Sequence, residues 1–169
     1  ALIELSRLLK LEGSKNSNYL FIAFSGEELG LFGSKYFTDH PTVSLTSANY
    51  MINMDMVGRF SDTAKSITIG GIGTSPSWGE LIKEKKPVFT IKIDSSGTGP
   101  SDHASFYRKD MPVLFMFTGS HSDYHKATDD WDKINYVGES QIIRYVQSII
   151  KKTDVVGKLD FLKTREAAM

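Results

Sequence analysis

The sequence predicts a layered α/β fold built on a largely parallel sheet. Three observations carry that reading. Short apolar, β-branched or aromatic runs alternate with stretches of helical spacing. The first of these runs, Asn18–Ser25 (NYLFIAFS), is a compact apolar, β-branched and aromatic stretch between polar ends, of the kind buried on both faces of a sheet. A chain of 169 residues, 40% of them hydrophobic, also suffices for one substantial core, so residues 1–169 are read as one domain.

The elements follow in order. Ala1 to about Glu12 carries Leu2, Ile3, Leu5, Leu8 and Leu9 at helical spacing, and Gly13 suits the left-handed turn that closes a helix. The chain opens on this stretch with no initiator Met and no capping residue, which reads as a cut through a larger protein. Asn18–Ser25 is then a strand, and Gly26-Glu27-Glu28 leads into helical spacing from Leu29 to about His40, stopped by Pro41. Tyr50–Asp55 (YMINMD) is a second strand, closed by Gly58, and Ser66–Gly70 a short third one.

A short helix is expected at Trp78–Lys85, an alternating strand at Phe89–Asp94, and a helical stretch near His103–Arg108 after the glycine-rich loop Ser95–Pro100. Val113–Thr118 is a buried strand, followed by a polar loop from Gly119 to Asp132. Tyr136 to about Lys152 is a long amphipathic helix with Val137, Ile142, Ile143, Val146, Ile149 and Ile150 inward. The tail from Gly157 is expected to form a short terminal helix. Trp78 and Trp131 are read as packing residues, with Trp131 near enough to the His125 loop to line a pocket, and the charge run Lys83–Lys86 as a solvated helix end.

Composition excludes several functions. Twenty basic residues balance twenty acidic ones, so no net field would hold nucleic acid or an anionic membrane. No apolar run approaches the roughly 20 residues of a membrane span. The absence of cysteine rules out disulfides, thiolate nucleophiles and sulfur-bound zinc, so any metal must sit on His, Asp and Glu.

In such sheets ligands bind beyond the carboxyl ends of the strands. Glu27 and Glu28 end the first strand, Asp55 ends the second, and His121, Asp123 and His125 lie in the loop after the last apolar strand. Carboxylate oxygens and imidazole nitrogen on one rim suit zinc or another divalent cation. Each residue also has a simpler reading. Glu27 and Glu28 would be favoured at a helix amino terminus by the dipole alone, Asp55 could cap turn amides, and His125 could be a solvated loop residue. Ser101, Asp102 and His103 supply the letters of a hydrolase triad, but sequence neighbours cannot form its linear relay. No G-x-S-x-G, H-E-x-x-H or G-x-G-x-x-G motif occurs.

Four stretches carry a family resemblance: FSGEELGLFGSKYF (Phe24–Phe37), NMDMVGR (Asn53–Arg59), SDHASFYRKDMPVLFMFTG (Ser101–Gly119) and HSDYHKATDDWDKIN (His121–Asn135). In this order they resemble the M28 family of metallopeptidases, zinc aminopeptidases with glutaminyl-cyclase-like and transferrin-receptor-like branches. The resemblance implies a three-layer α/β/α fold of the zinc-exopeptidase type with a mixed, largely parallel central sheet, here truncated at the amino terminus. It implies Glu27 as general base, Glu28 and Asp55 as ligands of one zinc, His125 as a ligand of the other, and Tyr124 as the hydroxyl that steadies the tetrahedral intermediate. Asp129 takes a supporting or loop-bracing role, and Ser101–Phe106, with Asp102 and His103, shapes the substrate pocket.

Two departures bear on these roles. Where many relatives read Tyr-His-Thr-Pro, this chain has Tyr124-His125-Lys126-Ala127. The family's first zinc histidine and its metal-bridging aspartate lie upstream of a helix like Ala1–Glu12, and neither is in this chain. Two zinc ions are therefore expected for the full-length parent, with weak or absent binding, and no activity, for this polypeptide alone.

The resemblance implies an aminopeptidase whose partner is a peptide with a free amino terminus, in a secreted or periplasmic setting; the sequence itself leaves the compartment open. A single-zinc acyltransferase like the glutaminyl cyclases shares the paired glutamates, but the LGLFGSKYF continuation favours the peptidase. A non-catalytic scaffold domain would be expected to lose its carboxylates first, and Glu27, Glu28, Asp55 and His125 are all present. Truncation is also expected to leave a sheet edge exposed, through which copies of the chain associate.

Overall fold

The computed structural model of the chain describes residues 1–12, 16–84 and 88–164. Its sheet has four strands, β1 (Met51–Asp55), β2 (Ser66–Gly70), β3 (Thr90–Ile93) and β4 (Val113–Phe117), in the spatial order β1-β4-β2-β3. β1 pairs with β4 and β2 with β3 in parallel, while β2 and β4 run antiparallel, so the sheet is mixed with two of its three pairings parallel. Asp55 and Phe117 are register partners, which sets the carboxyl ends of β1 and β4 on one rim.

The helices are α1 (Leu2–Glu12), α2 (Phe32–Asp39), α3 (Trp78–Leu81), α4 (His103–Tyr107) and α5 (Tyr136–Val156). Side-chain alternation along β4 distributes them between two layers. Leu114 and Met116 point into a core shared with Leu5, Leu8 and Leu9 of α1, Trp78 of α3, and Ile142, Val146 and Ile149 of α5. Val113 points the other way, into a second core with Phe106 and Tyr107 of α4, Phe37 of α2 and Phe24. A sheet with helices on both faces is the three-layer α/β/α arrangement expected. Leu114, Met116, Ile142, Val146 and Ile149 are fully buried, each burial favouring the fold by about 1.5–3 kcal/mol. α5 starts where Asn135 Oδ1 accepts a hydrogen bond from Gly138 N at 2.9 Å, a cap that its position before the helix permits.

Several expectations are corrected. Asn18–Ser25 sends Tyr19 and Phe24 towards the two cores, but it is not part of any strand. Apolar content makes a run suited to a sheet, whereas a ladder also needs a partner backbone. α2 begins at Phe32 rather than Leu29, because Gly26, Gly30 and Leu31 all take positive φ and hold residues 26–31 in turns. α3 ends at Leu81; Lys85 and Lys86, like Gly13, lie outside the described residues. In the tail expected to be helical, residues 157–164 are not, and residues 165–169 lie outside the described residues. Val137 is 70% and Trp131 73% exposed, so neither packs inward.

Candidate metal centre

The paired glutamates are held by a tight turn. Gly30 N and Leu31 N both donate to Glu27 O, at 3.0 and 2.9 Å, and Gly33 N donates to Ser25 O at 2.9 Å. Position 33 must be glycine for this approach, since a β-carbon there would stand 2.5 Å from Ser25 O. The first turn of α2 contains no acidic residue, so the helix-dipole reading of Glu27 and Glu28 does not hold. They project from a turn at the rim.

Asp55 ends β1 on the face that looks towards α4, and Asn53 shares that face two residues earlier. The buried Ser101 joins them: its hydroxyl accepts from Asn53 Nδ2 at 2.8 Å and donates to Asp55 Oδ2 at 3.2 Å. From the third segment, the loop after β4, His125 Nε2 lies 2.8 Å from Glu28 Oε1. The Tyr124 ring stacks on the His125 ring with centroids 3.9 Å apart.

Electrostatics report the same convergence. Burial raises the Glu27 carboxyl above its ordinary value, Glu28, Asp55 and Asp102 add to the rise, and the Ser101 hydroxyl offsets part of it. Burial also raises Asp55, with Ser101 and the Met56 amide opposing and Glu28 and Asp102 reinforcing. The Tyr124 phenol is raised by burial first and then by Glu28, Asp55 and Glu27. Each shift identifies neighbours that disfavour one more negative charge.

The remaining expected residues lie beneath or beside this cluster. Asp102 is 8% exposed with Oδ1 unpartnered, and its charge acts on both Glu27 and Asp55. His103 is 1% exposed, stacked on Phe115 at 4.3 Å, and its Nδ1 has no partner, which makes it a core residue. Asp129 accepts from Arg59 Nη1 at 2.5 Å and lies 3.6 Å from His121 Nε2, consistent with bracing the loop. Sequence reasoning did not single out Asn53 or Arg59, and it met Ser101 as a letter of an unworkable triad and as the start of the pocket segment, not as a partner of Asp55. For Asn53 the two-residue period to Asp55 was an available signal.

The donors fit zinc in kind. A carboxylate oxygen and an imidazole nitrogen 2.8 Å apart are in direct hydrogen-bond contact, and they need to part by only about 0.5 Å to reach the spacing of two ligands on one tetrahedral zinc ion. The contact joins Glu28 to His125, whereas the resemblance had put Glu28 with Asp55. In number the donors fall short: among the described residues no three His, Asp or Glu side chains converge closely enough to enclose a cation.

Comparisons with known proteins place the chain in a family. The leupeptin-inactivating enzyme 1 of Streptomyces exfoliatus is 28% identical over 142 residues, which are 75% of this chain and 28% of that protein. The chain thus spans little more than a quarter of that relative. A zinc aminopeptidase structure from Bacillus subtilis superposes with a TM-score of 0.71 at 25% identity, covering 89% of this chain and 39% of the other. A Bacteroides thetaiotaomicron glutaminyl cyclase shares the fold, with a TM-score of 0.67 at 19% identity over 90% of this chain and 60% of that one. The family model for Peptidase family M28 matches residues 1–150, a span that includes the turn of Glu27 and Glu28, the end of β1 and the His125 loop, and the chain belongs to that family.

Proposed function

We propose that this chain carries part of the catalytic domain of a zinc-dependent aminopeptidase, which hydrolyses the first peptide bond of substrates with a free amino terminus. The observation that carries the reading is the 2.8 Å contact of His125 with Glu28, within the same rim as Glu27, Asp55 and Tyr124. Three distant segments supply these groups.

Glu28 and His125 would hold one zinc ion, and Asp55 would contribute to a second. Zinc, when bound, supplies Lewis acidity to the carbonyl and acidifies water. Glu27 takes the proton of the attacking water and delivers it to the leaving amine. Tyr124 donates its phenol hydrogen bond to the oxyanion. The negative rim formed by Glu27 and its neighbours also attracts the substrate's α-ammonium group.

Aminoacyl chromogenic substrates test this in the whole protein. Zinc-dependent release is expected, and Glu27→Gln should lower kcat by about 10²–10⁴-fold. Release that survives chelation or this substitution rejects the reading. For the 169-residue chain by itself, the two adjacent donors predict weak zinc binding and no turnover; tight stoichiometric binding by calorimetry would overturn that part.

A further inference from the structure

Thr118 and Asn135, at the two ends of the loop that carries His125, bond to the turn after Asp55, and between them one side chain of that turn reaches the loop itself. Arg59 sits four residues after Asp55, at the end of a 3-10 turn spanning Val57–Arg59. Its guanidinium forks across the loop, with Nη2 donating to Asp123 Oδ2 at 2.8 Å and Nη1 to Asp129 Oδ1 at 2.5 Å. Asp123 and Asp129 flank Tyr124 and His125 in sequence. We propose that Arg59 is a positioning residue that fixes the His125 loop against the turn following Asp55, an inference that rests on the metal-site reading above.

The loop itself is poorly anchored otherwise. Its backbone hydrogen bonds, from Tyr124 N to His121 O, Lys126 N to Asp123 O and Asp129 N to Lys126 O, are internal. Among the described residues, the hydrogen bonds that bind residues 120–132 to the earlier segments are those of Arg59 and the His125–Glu28 contact. His125 also has φ 56, a left-handed conformation that a residue with a side chain keeps only when its surroundings enforce it.

An exposed ion pair would be a weak anchor. Here the Arg59 and Asp123 side chains are only 17% and 16% exposed, and Asp123 Oδ1 is held at 2.8 Å by both Lys133 and Thr128. A planar guanidinium holds two carboxylates in a rigid fork, whereas a lysine ammonium on its flexible stem fixes no such geometry. Asn135 N, bonded to Gly58 O at 2.8 Å, fastens the far end of the loop to the same turn. The fork is thus the middle tether of a loop whose exit is already fixed.

The whole protein, Arg59→Leu, Arg59→Lys, Glu28→Ala and the control Lys126→Met test the proposal with zinc itself as probe. Zinc affinity should fall about 10–100-fold in Arg59→Leu, the usual effect of removing a group that orients a ligand. It should fall less in Arg59→Lys and stay unchanged in Lys126→Met. Tryptic cleavage after Lys126 should accelerate in Arg59→Leu with zinc absent, a readout independent of the metal-site reading. Unchanged cleavage, or zinc affinity within twofold of the parent, overturns the proposal. If Glu28→Ala alone leaves zinc binding intact, the metal-site reading fails and the affinity arm with it, while the cleavage arm still decides whether Arg59 anchors the loop. If Arg59→Leu does not fold, Asp129→Asn removes one arm of the fork, and unchanged cleavage and affinity there overturn the proposal equally.

Discussion

His125 Nε2 lies 2.8 Å from Glu28 Oε1 although 97 positions separate the two residues in the chain. Their side chains are 53% and 65% exposed, so as an ion pair the contact adds little to stability, on the order of 0–1 kcal/mol. Its meaning lies in what it places together, an oxygen and a nitrogen donor close enough to be drawn onto one ion. His125→Ala is therefore expected to leave the unfolding midpoint nearly unchanged while zinc affinity drops by more than about tenfold. Thermal melts and a zinc competition titration on the same preparation decide this. A large loss of stability with unaltered zinc binding would make the contact structural.

His103 should make the protein acid-sensitive in a defined window. Burial holds its pKa down at about 4, against 6.5 for the free side chain, with Asp94 opposing and Arg108 assisting. Above pH 6.5 the imidazole is neutral in both folded and unfolded chains, and its contribution is complete. As the pH falls from 6.5 to 4 the unfolded chain takes up a proton that the folded one resists, so stability is lost, by about 3 kcal/mol at most. Phenylalanine keeps the stack on Phe115 and cannot titrate. Urea midpoints measured from pH 7 to pH 4 should fall more steeply for the parent than for His103→Phe; parallel slopes would remove the argument.

The two tryptophans should be optically distinct. Trp78 is fully buried, and its Nε1 donates at 3.2 Å to Thr74 Oγ1, whereas Trp131 is 73% exposed beside the candidate site. Iodide should quench the emission of Trp131 and spare that of Trp78, so Trp131→Phe is expected to leave a blue-shifted, almost unquenchable signal. An equal quenching constant in the parent and in Trp131→Phe would contradict the burial assigned to Trp78.

Much of this was legible in the sequence because it is local. Met51–Asp55 and Val113–Phe117 announce themselves by apolar content, and a carboxylate at the end of one such run marks the rim. What was not legible depends on distant partners. Nothing in NMDMVGR shows that Arg59 reaches Asp123 and Asp129, 64 and 70 positions away. The order β1-β4-β2-β3 likewise follows from pairings between remote segments. Asn18–Ser25 shows the same limit from the other side, since its composition is that of a strand and only a neighbouring backbone would make it one. Exposure at Trp131 and Val137 was misjudged because helical spacing and aromatic character indicate suitability for a core, not the presence of one nearby.

The unladdered run leads to the final prediction. Leu20 and Phe21 are 58% and 37% exposed, and Leu29 and Phe32, a few residues further on, are 72% and 60% exposed. Exposed apolar side chains clustered along such a run offer a surface to a second copy of the chain. The 169-residue chain is therefore expected to self-associate as concentration rises. A lysine at position 20 or 21 would place a charge in any such pairing, so Leu20→Lys and Phe21→Lys should each shift the equilibrium towards monomer. Light scattering coupled to size exclusion follows this directly. A monomeric mass for the parent at high concentration, or equal association of the lysine variants, would show that this segment is not where copies meet.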